Sequence, residues 1–213
     1  MPQKIAVIDY GMGNLRSVSK AVEHVAADAE VRVTDDPQFI EQADRVVFPG
    51  QGAARDCMLA IGEHHLNQAV LRAAQSKPFL GICMGLQVLM QHSEENGGTK
   101  LLGLFAGEVR RFDGLALGER GLPLKIPHMG WSQVRQVGSH PLWRGIDDQS
   151  RFYFVHSYRV VPEDVSLIAA TTDYGVRFTA AIARNNLFAT QFHPEKSAGA
   201  GLRLLENFVN WSI

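Results

Sequence analysis

Three short stretches carry residue types that could do chemistry together. In "PFLGICMGLQ" (Pro78 to Gln87), Cys83 stands between Gly81 and Gly85, where an apolar run meets a helix-like one. A thiol at that junction would project from a sharp strand-to-helix turn, on the edge where open α/β sheets bind ligands. The two glycines would remove the Cβ atoms that crowd such a turn, and the helix start would add a positive partial charge beside the sulfur. The plainer alternative for an isolated cysteine is a small buried hydrophobe. Cys57, in an ordinary helical stretch, reads that way.

"ATQFHPEKS" supplies what a nucleophilic thiol lacks. His193 and Glu195 stand two apart after a candidate strand, with Pro194 stiffening the link, so both side chains can leave the same edge. A histidine beside the thiol can take its proton, and a carboxylate behind the histidine can fix its tautomer and stabilise the imidazolium. Alone, a loop histidine near a carboxylate is commonplace; joined to the cysteine turn, it completes a nucleophile, a base and an orienting group. The third stretch is "FPGQGAARDC", where Gly50 and Gly52 flank Gln51. It reads either as a plain βα turn or as a loop whose backbone N–H groups at Gln51 and Gly52, with that of Met84, form an oxyanion hole.

The elements that must hold these stretches follow from apolar periodicity. "KIAVIDY" reads as a buried strand, and Leu15, Val18, Val22 and Val25 make one helix face after it. "EVRVT", "DRVVFPG" and "KPFLGIC" read as strands, "CMLAIGEHHLNQAVLRAA" as one helix and "GLQVLMQ" as the start of the next. Alternating strands and helices predict an α/β fold with a doubly wound, mostly parallel open sheet. The second half differs: "WSQVRQV", "SRFYFVHSYRVV", "SLIAATT", "VRFTAAIA" and "LFATQFHP" are strand candidates joined by turns, which predicts antiparallel additions to the sheet. A helix with Leu202, Leu205, Phe208 and Val209 on one face closes the chain.

Composition narrows the function classes. The 213 residues are 46% hydrophobic, enough for one large core, so 1–213 is expected to form a single domain. With 21 Lys and Arg against 22 Asp and Glu and no block of like charge, no footprint for nucleic acid or anionic membrane is present. The start lacks the long apolar stretch of a secretory signal, no run approaches a membrane span of roughly 18 residues, and two cysteines make no disulfide framework. A reducing, cytoplasmic setting is the expectation. The eight histidines show no ligand spacing, and His64 and His65 read as surface, so no metal or cofactor is expected.

The cysteine turn "GICMGLQ", the loop "PGQG" and the late "FHPE", in this order, resemble the class I glutamine amidotransferases, across most of the chain. Within them, "DYGMGNLRSV", "PHMGW" and "YFVHSY" resemble the glutaminase subunits of imidazole glycerol phosphate synthases, which serve histidine biosynthesis. The resemblance implies glutamine as substrate and delivery of its ammonia to a (β/α)₈-barrel cyclase subunit in a heterodimer. It implies Cys83 as nucleophile, His193 as general base and then acid, and Glu195 as the orienting carboxylate. Gln87 and Glu95 match positions that hold glutamine, and His128, Met129 and Trp131 match the face toward the barrel. Gln87, one turn beyond Cys83, should return to the same helix face. Glu95 reads equally well as a partner for the substrate ammonium or as a solvated helix end, and Met129 and Trp131 could equally be core. Gln51 and Ser132 depart from the small apolar residue and the Asn expected there. Competing readings are a glutaminase serving anthranilate or GMP synthesis, a free cysteine hydrolase of γ-glutamyl bonds, and a binding module without chemistry. "YGMGN" and "PHMGW" count against the first, and the intact Cys83, His193 and Glu195 against the last.

Overall fold

The computed structural model describes residues 2–112 and 123–213. In its first half the order is β1 (Lys4–Ile8), α1 (Leu15–Val25), β2 (Glu30–Thr34), α2 (Pro37–Gln42), β3 (Arg45–Gly50), α3 (Ala54–Glu63), α4 (Asn67–Ser76), β4 (Phe79–Cys83) and α5 (Met84–Gln87). Then come β5 (His92–Ser93), β6 (Thr99–Lys100), β7 (Gly107–Arg111), β8 (His128–Gln133) and β9 (Arg135–Gln136). β10 (Arg151–His156), β11 (Tyr158–Pro162), β12 (Ile168–Tyr174), β13 (Val176–Arg184), β14 (Leu187–Thr190) and α6 (Ala198–Val209) complete the chain.

The main sheet has eight strands in the order β2-β1-β3-β4-β14-β13-β12-β9. The pairs from β2 through β14 are parallel, and those from β14 through β9 are antiparallel. Both faces of the central strands β1, β3, β4 and β14 are buried, as parallel pairing requires. Ile5, Val7, Val47, Leu80 and Ile82 face α1 and α6, whose Val18, Val22, Leu204 and Phe208 pack against them. Ala6, Ile8, Val46, Phe48 and Phe79 face the opposite layer, with Phe39 of α2, Ile61 of α3 and Val70 of α4. This is the doubly wound sheet with antiparallel additions that the alternation of elements predicts.

Four details differ from the sequence reading. The helix expected through Cys57 to Ala74 breaks into α3 and α4. His65 takes φ +55°, its N–H bonds to the Gly62 carbonyl at 3.0 Å, and the Leu66 N–H bonds to that of Ile61 at 2.9 Å. That is a Schellman closure, with the fully buried Ile61 and Leu66 in one core cluster and histidine where glycine is usual. α2 is an additional helix, started by Asp36 capping the Gln38 N–H at 2.9 Å and by Pro37 at the first position. α5 stops at Gln87 because the carbonyls of Val88, Leu89 and Met90 accept from Leu102, Phe105 and Gly103 instead of continuing the helix. Finally, part of the second half leaves the main sheet: among the described residues β10 pairs with β8 alone, and β11 joins β7, β5 and β6 in a separate sheet.

Candidate functional site

The carboxyl ends of three neighbouring parallel strands build the site. β4 lies between β3 and β14, with Gly50 opposite Cys83 and Thr190 opposite Ile82. The Gln51 loop, Cys83 and the segment leading to His193 therefore emerge side by side. Cys83 has φ +56° and ψ −104°, a strained conformation for a residue with a side chain. Its flanking glycines are needed for close approach: a Cβ on Gly81 would come within 2.7 Å of the Gly85 carbonyl oxygen and 2.9 Å of Ala189 Cβ. A Cβ on Gly85 would collide with the Phe48 carbonyl of β3. The turn thus holds the sulfur where the sheet edge opens.

His193 Nδ1 lies 2.8 Å from Glu195 Oε1, and their side chains are 2% and 1% exposed. His193 Nε2 is buried without a hydrogen-bond partner among the described residues. Burial alone would lower the His193 pKa, but the charge of the nearby Cys83 sulfur and the contacts with Cys83 and Glu195 outweigh it and push it up to about 10. With no ordinary hydrogen bond from Nε2, the sulfur acts on the ring chiefly through charge. A poised acid–base group beside a thiol can exchange protons with it.

A cavity of about 300 Å³ opens in front of Cys83. Gln51, Gly52, Met84, Gln87, Glu95 and His193, all singled out in the sequence, line it with Cys83. Gly52 has φ +101°, open only to glycine at low strain, and the Gln51 carbonyl accepts from the Cys57 thiol at 3.4 Å. Cys57 is fully buried, and burial raises its pKa to about 11, so it stays a thiol. Gln87 Nε2 reaches Gln191 Oε1 at 3.1 Å and the Tyr158 carbonyl at 3.3 Å. Glu95 is no solvated helix end: its Oε2 accepts from the Ala54 N–H at 2.7 Å, at the start of α3, so it ties the Gln51 loop to the cavity wall. The sequence reading missed Gln191, whose Nε2 lies 3.7 Å from Cys83 Sγ, and gave His156, Ser157 and Tyr158 no part in the cavity. "TQFHPE" and "YFVHSY" held these residues in view, but nothing in their spacing points toward Cys83.

The expected outer face divides along β8. Met129 and Trp131 are 62% and 45% exposed, and Trp131 meets Tyr153 of β10 edge to face. His128 turns the other way and is buried, stacked on Tyr174 with ring centroids 4.0 Å apart. It does not reach the surface, which corrects its place on the outer face. The reason is strand parity: side chains alternate between faces, so residue 128 points opposite to 129 and 131. Ser132, also on the inner side, bonds to His128 Nε2 at 2.9 Å. His64 and His65 are exposed, as read. No helix among the described residues is long and apolar enough to cross a membrane.

Comparison with known proteins bears on the whole chain. The family described as "Glutamine amidotransferase class-I" matches residues 6–211. "Imidazole glycerol phosphate synthase subunit HisH" of Methylococcus capsulatus is 59% identical over 97% of this chain and 96% of its own. The protein of that name from Thiobacillus denitrificans is 60% identical over 100% and 93%. Among solved structures, PurLQS from Thermotoga maritima superimposes with a TM-score of 0.72 at 18% identity, covering 99% of both chains, a likeness of fold alone. With a cysteine held at a strained strand end, a buried His-Glu pair beside it and full-length relatives at this identity, the chain belongs to the class-I glutamine amidotransferases and, within them, to the imidazole glycerol phosphate synthase subunits HisH.

Proposed function

We propose that this glutaminase subunit hydrolyses glutamine through Cys83, His193 and Glu195, and passes the ammonia to a (β/α)₈-barrel cyclase subunit. That partner would convert the nucleotide PRFAR to imidazole glycerol phosphate and AICAR in histidine biosynthesis. The observation that carries the reading is the His193–Glu195 pair at 2.8 Å, with His193 Nε2 unpaired among the described residues and the Cys83 sulfur raising the imidazole pKa.

In this reading His193 first holds the proton of the Cys83 thiol. The sulfur forms a bond to the side-chain carbonyl carbon of glutamine, and the oxygen takes up negative charge facing the N–H groups of Gln51, Gly52 and Met84. The C–N bond breaks as His193 gives its proton to the nitrogen, releasing ammonia and leaving a thioester on Cys83. Water then gives a proton to His193 and attacks the thioester, and the carbon–sulfur bond breaks to release glutamate. Glu195 keeps the Nδ1 proton in place and balances the imidazolium throughout. Gln87 and Glu95 hold the polar end of glutamine, with the second Glu95 oxygen toward its ammonium. Met129 and Trp131 contact the barrel. Two free, buried cysteines suit a reducing cytoplasm.

The test is glutamine hydrolysis by this subunit alone, with the barrel subunit, and with that subunit plus its nucleotide. Cys83→Ala should abolish glutamine-dependent synthesis while the complex still makes product from ammonium salt. Retained hydrolysis in Cys83→Ala would overturn the nucleophile, and equal rates in all three states would favour a free hydrolase.

A further inference from the structure

A chain of hydrogen bonds leaves the Cys83 sulfur and runs away from the cavity into a buried aromatic cluster. Gln191 Nε2 stands 3.7 Å from Cys83 Sγ, and Gln87 Nε2 bridges Gln191 Oε1 and the Tyr158 carbonyl at 3.1 and 3.3 Å. On the far side, His156 Nδ1 lies 2.7 Å from the same carbonyl, His156 Nε2 lies 3.0 Å from His128 Nδ1, and His128 Nε2 lies 2.9 Å from Ser132 Oγ. Gln191, His128 and His156 have no part in the mechanism above.

The Tyr158 carbonyl sets the direction of every bond, because a backbone oxygen only accepts and cannot turn over. His156 must carry its proton on Nδ1. Burial lowers the pKa of His156 to about 3 and that of His128 to about 4, so each ring is neutral and has one N–H. His156 Nε2 then accepts from His128 Nδ1–H, and His128 Nε2 accepts from the Ser132 hydroxyl. On the other side, the Gln87 amide oxygen facing Tyr158 would set acceptor against acceptor, so Gln87 turns its NH₂ there. Both hydrogens of that NH₂ are committed, one to Tyr158 and one to Gln191 Oε1. Gln191 is left with its own NH₂ toward the sulfur, and it is fully buried, so water does not compete.

We infer that Gln191 is a further catalytic residue: its side-chain N–H donates to the Cys83 sulfur, in a direction imposed by the Tyr158 carbonyl through Gln87. A donor there favours negative charge on sulfur, both before attack and when the thioester breaks down. The inference rests on Cys83 being the nucleophile. It also limits Gln87 to one free group, its amide oxygen, which can only accept from the substrate.

The test uses the complex with the cyclase subunit. Gln191→Met keeps similar bulk without a donor, and Gln191→Glu keeps the acceptor for Gln87 while turning an oxygen toward the sulfur. Each should lower kcat for glutamine about 10²-fold, the loss typical of one such donor, with a smaller change in KM. Alkylation of Cys83 by iodoacetamide should slow as well, and synthesis from ammonium salt should be unchanged. Normal turnover in a folded variant, or lower kcat with unchanged alkylation, overturns the proposal. Cys83→Ala in parallel separates the two claims. If it still hydrolyses glutamine, the nucleophile assignment fails; if it is inactive while the Gln191 variants are normal, only this inference fails. Variants that do not fold are covered by wild-type protein with ¹⁵N-labelled glutamine side chains. Methylation of Cys83 must shift two protected amides, those of Gln87 and Gln191, and a shift of one or none overturns the proposal.

Discussion

His193 Nδ1 and Glu195 Oε1 stand 2.8 Å apart, on side chains only 2% and 1% exposed. Glu195 Oε2 has no partner among the described residues, so this carboxylate is committed to the histidine. A pair this dry cannot trade its contact for water, and the two members should be unequal in effect. His193→Ala removes the proton carrier and should lower glutamine hydrolysis on the order of 10⁴-fold. Glu195→Gln keeps an acceptor for Nδ1 but loses the charge, and should leave a measurable rate, about 10²-fold down. Steady-state turnover in the complex measures both, and equal, negligible effects would contradict the pairing.

The raised pKa of His193 links stability to pH. A group whose folded pKa lies above its unfolded value of 6.5 stabilises the fold fully below pH 6.5 and loses that contribution as pH rises through its folded pKa, here about 10. Cys83 supplies the leading raising influence, so the fall in Tm between pH 7 and pH 10 should be smaller in Cys83→Ala than in wild type. Thermal melts across that range decide it; identical slopes would show that the sulfur does not hold the imidazolium.

His128 and Trp131 should separate by assay. Trp131 is 45% exposed, so Trp131→Ala should leave the isolated subunit folded and weaken association with the barrel by about 2 kcal/mol. His128→Ala leaves the His156 ring and the Ser132 hydroxyl without their partner and should lower the subunit's Tm on the order of 5–10 °C. Calorimetric titration and melting of the same variants would expose a reversed pattern.

Gly85 tests the strained turn. A methyl group there meets the Phe48 carbonyl, backbone that cannot step aside without moving β3. Gly85→Ala should destabilise the subunit by roughly 1–3 kcal/mol or more in urea denaturation, and glutamine hydrolysis should fall in whatever fraction remains folded. A variant as stable and active as wild type would mean that β3 and the turn are not locked together.

Much of this protein is legible from local rules. Strand and helix alternation predicts a doubly wound sheet, and Gly81, Cys83 and Gly85 announce the turn because only glycine tolerates such close backbone approach. His193 and Glu195 are readable as a pair because they stand two apart after a strand, although the link between them is a short 3-10 turn, Pro194–Lys196, where extended chain is the expectation. Local rules also cover strand parity, which separates buried His128 from exposed Met129 and Trp131, and the start signals Asp36 and Pro37 of α2. What they do not contain is partner choice between distant segments. That β4 lies between β3 and β14, that β10 leaves the main sheet for β8, and that Glu95 caps α3 depend on which strands pair across long stretches of chain. The path from Cys83 through Gln191 and Gln87 to Tyr158 joins residues 108, 104 and 71 positions apart, so no spacing rule could reveal it. Local spacing is enough to name Cys83, His193 and Glu195; the place of Gln191 and the orientation of all four come from packing, because a hydrogen bond's direction is set by the acceptor brought to it.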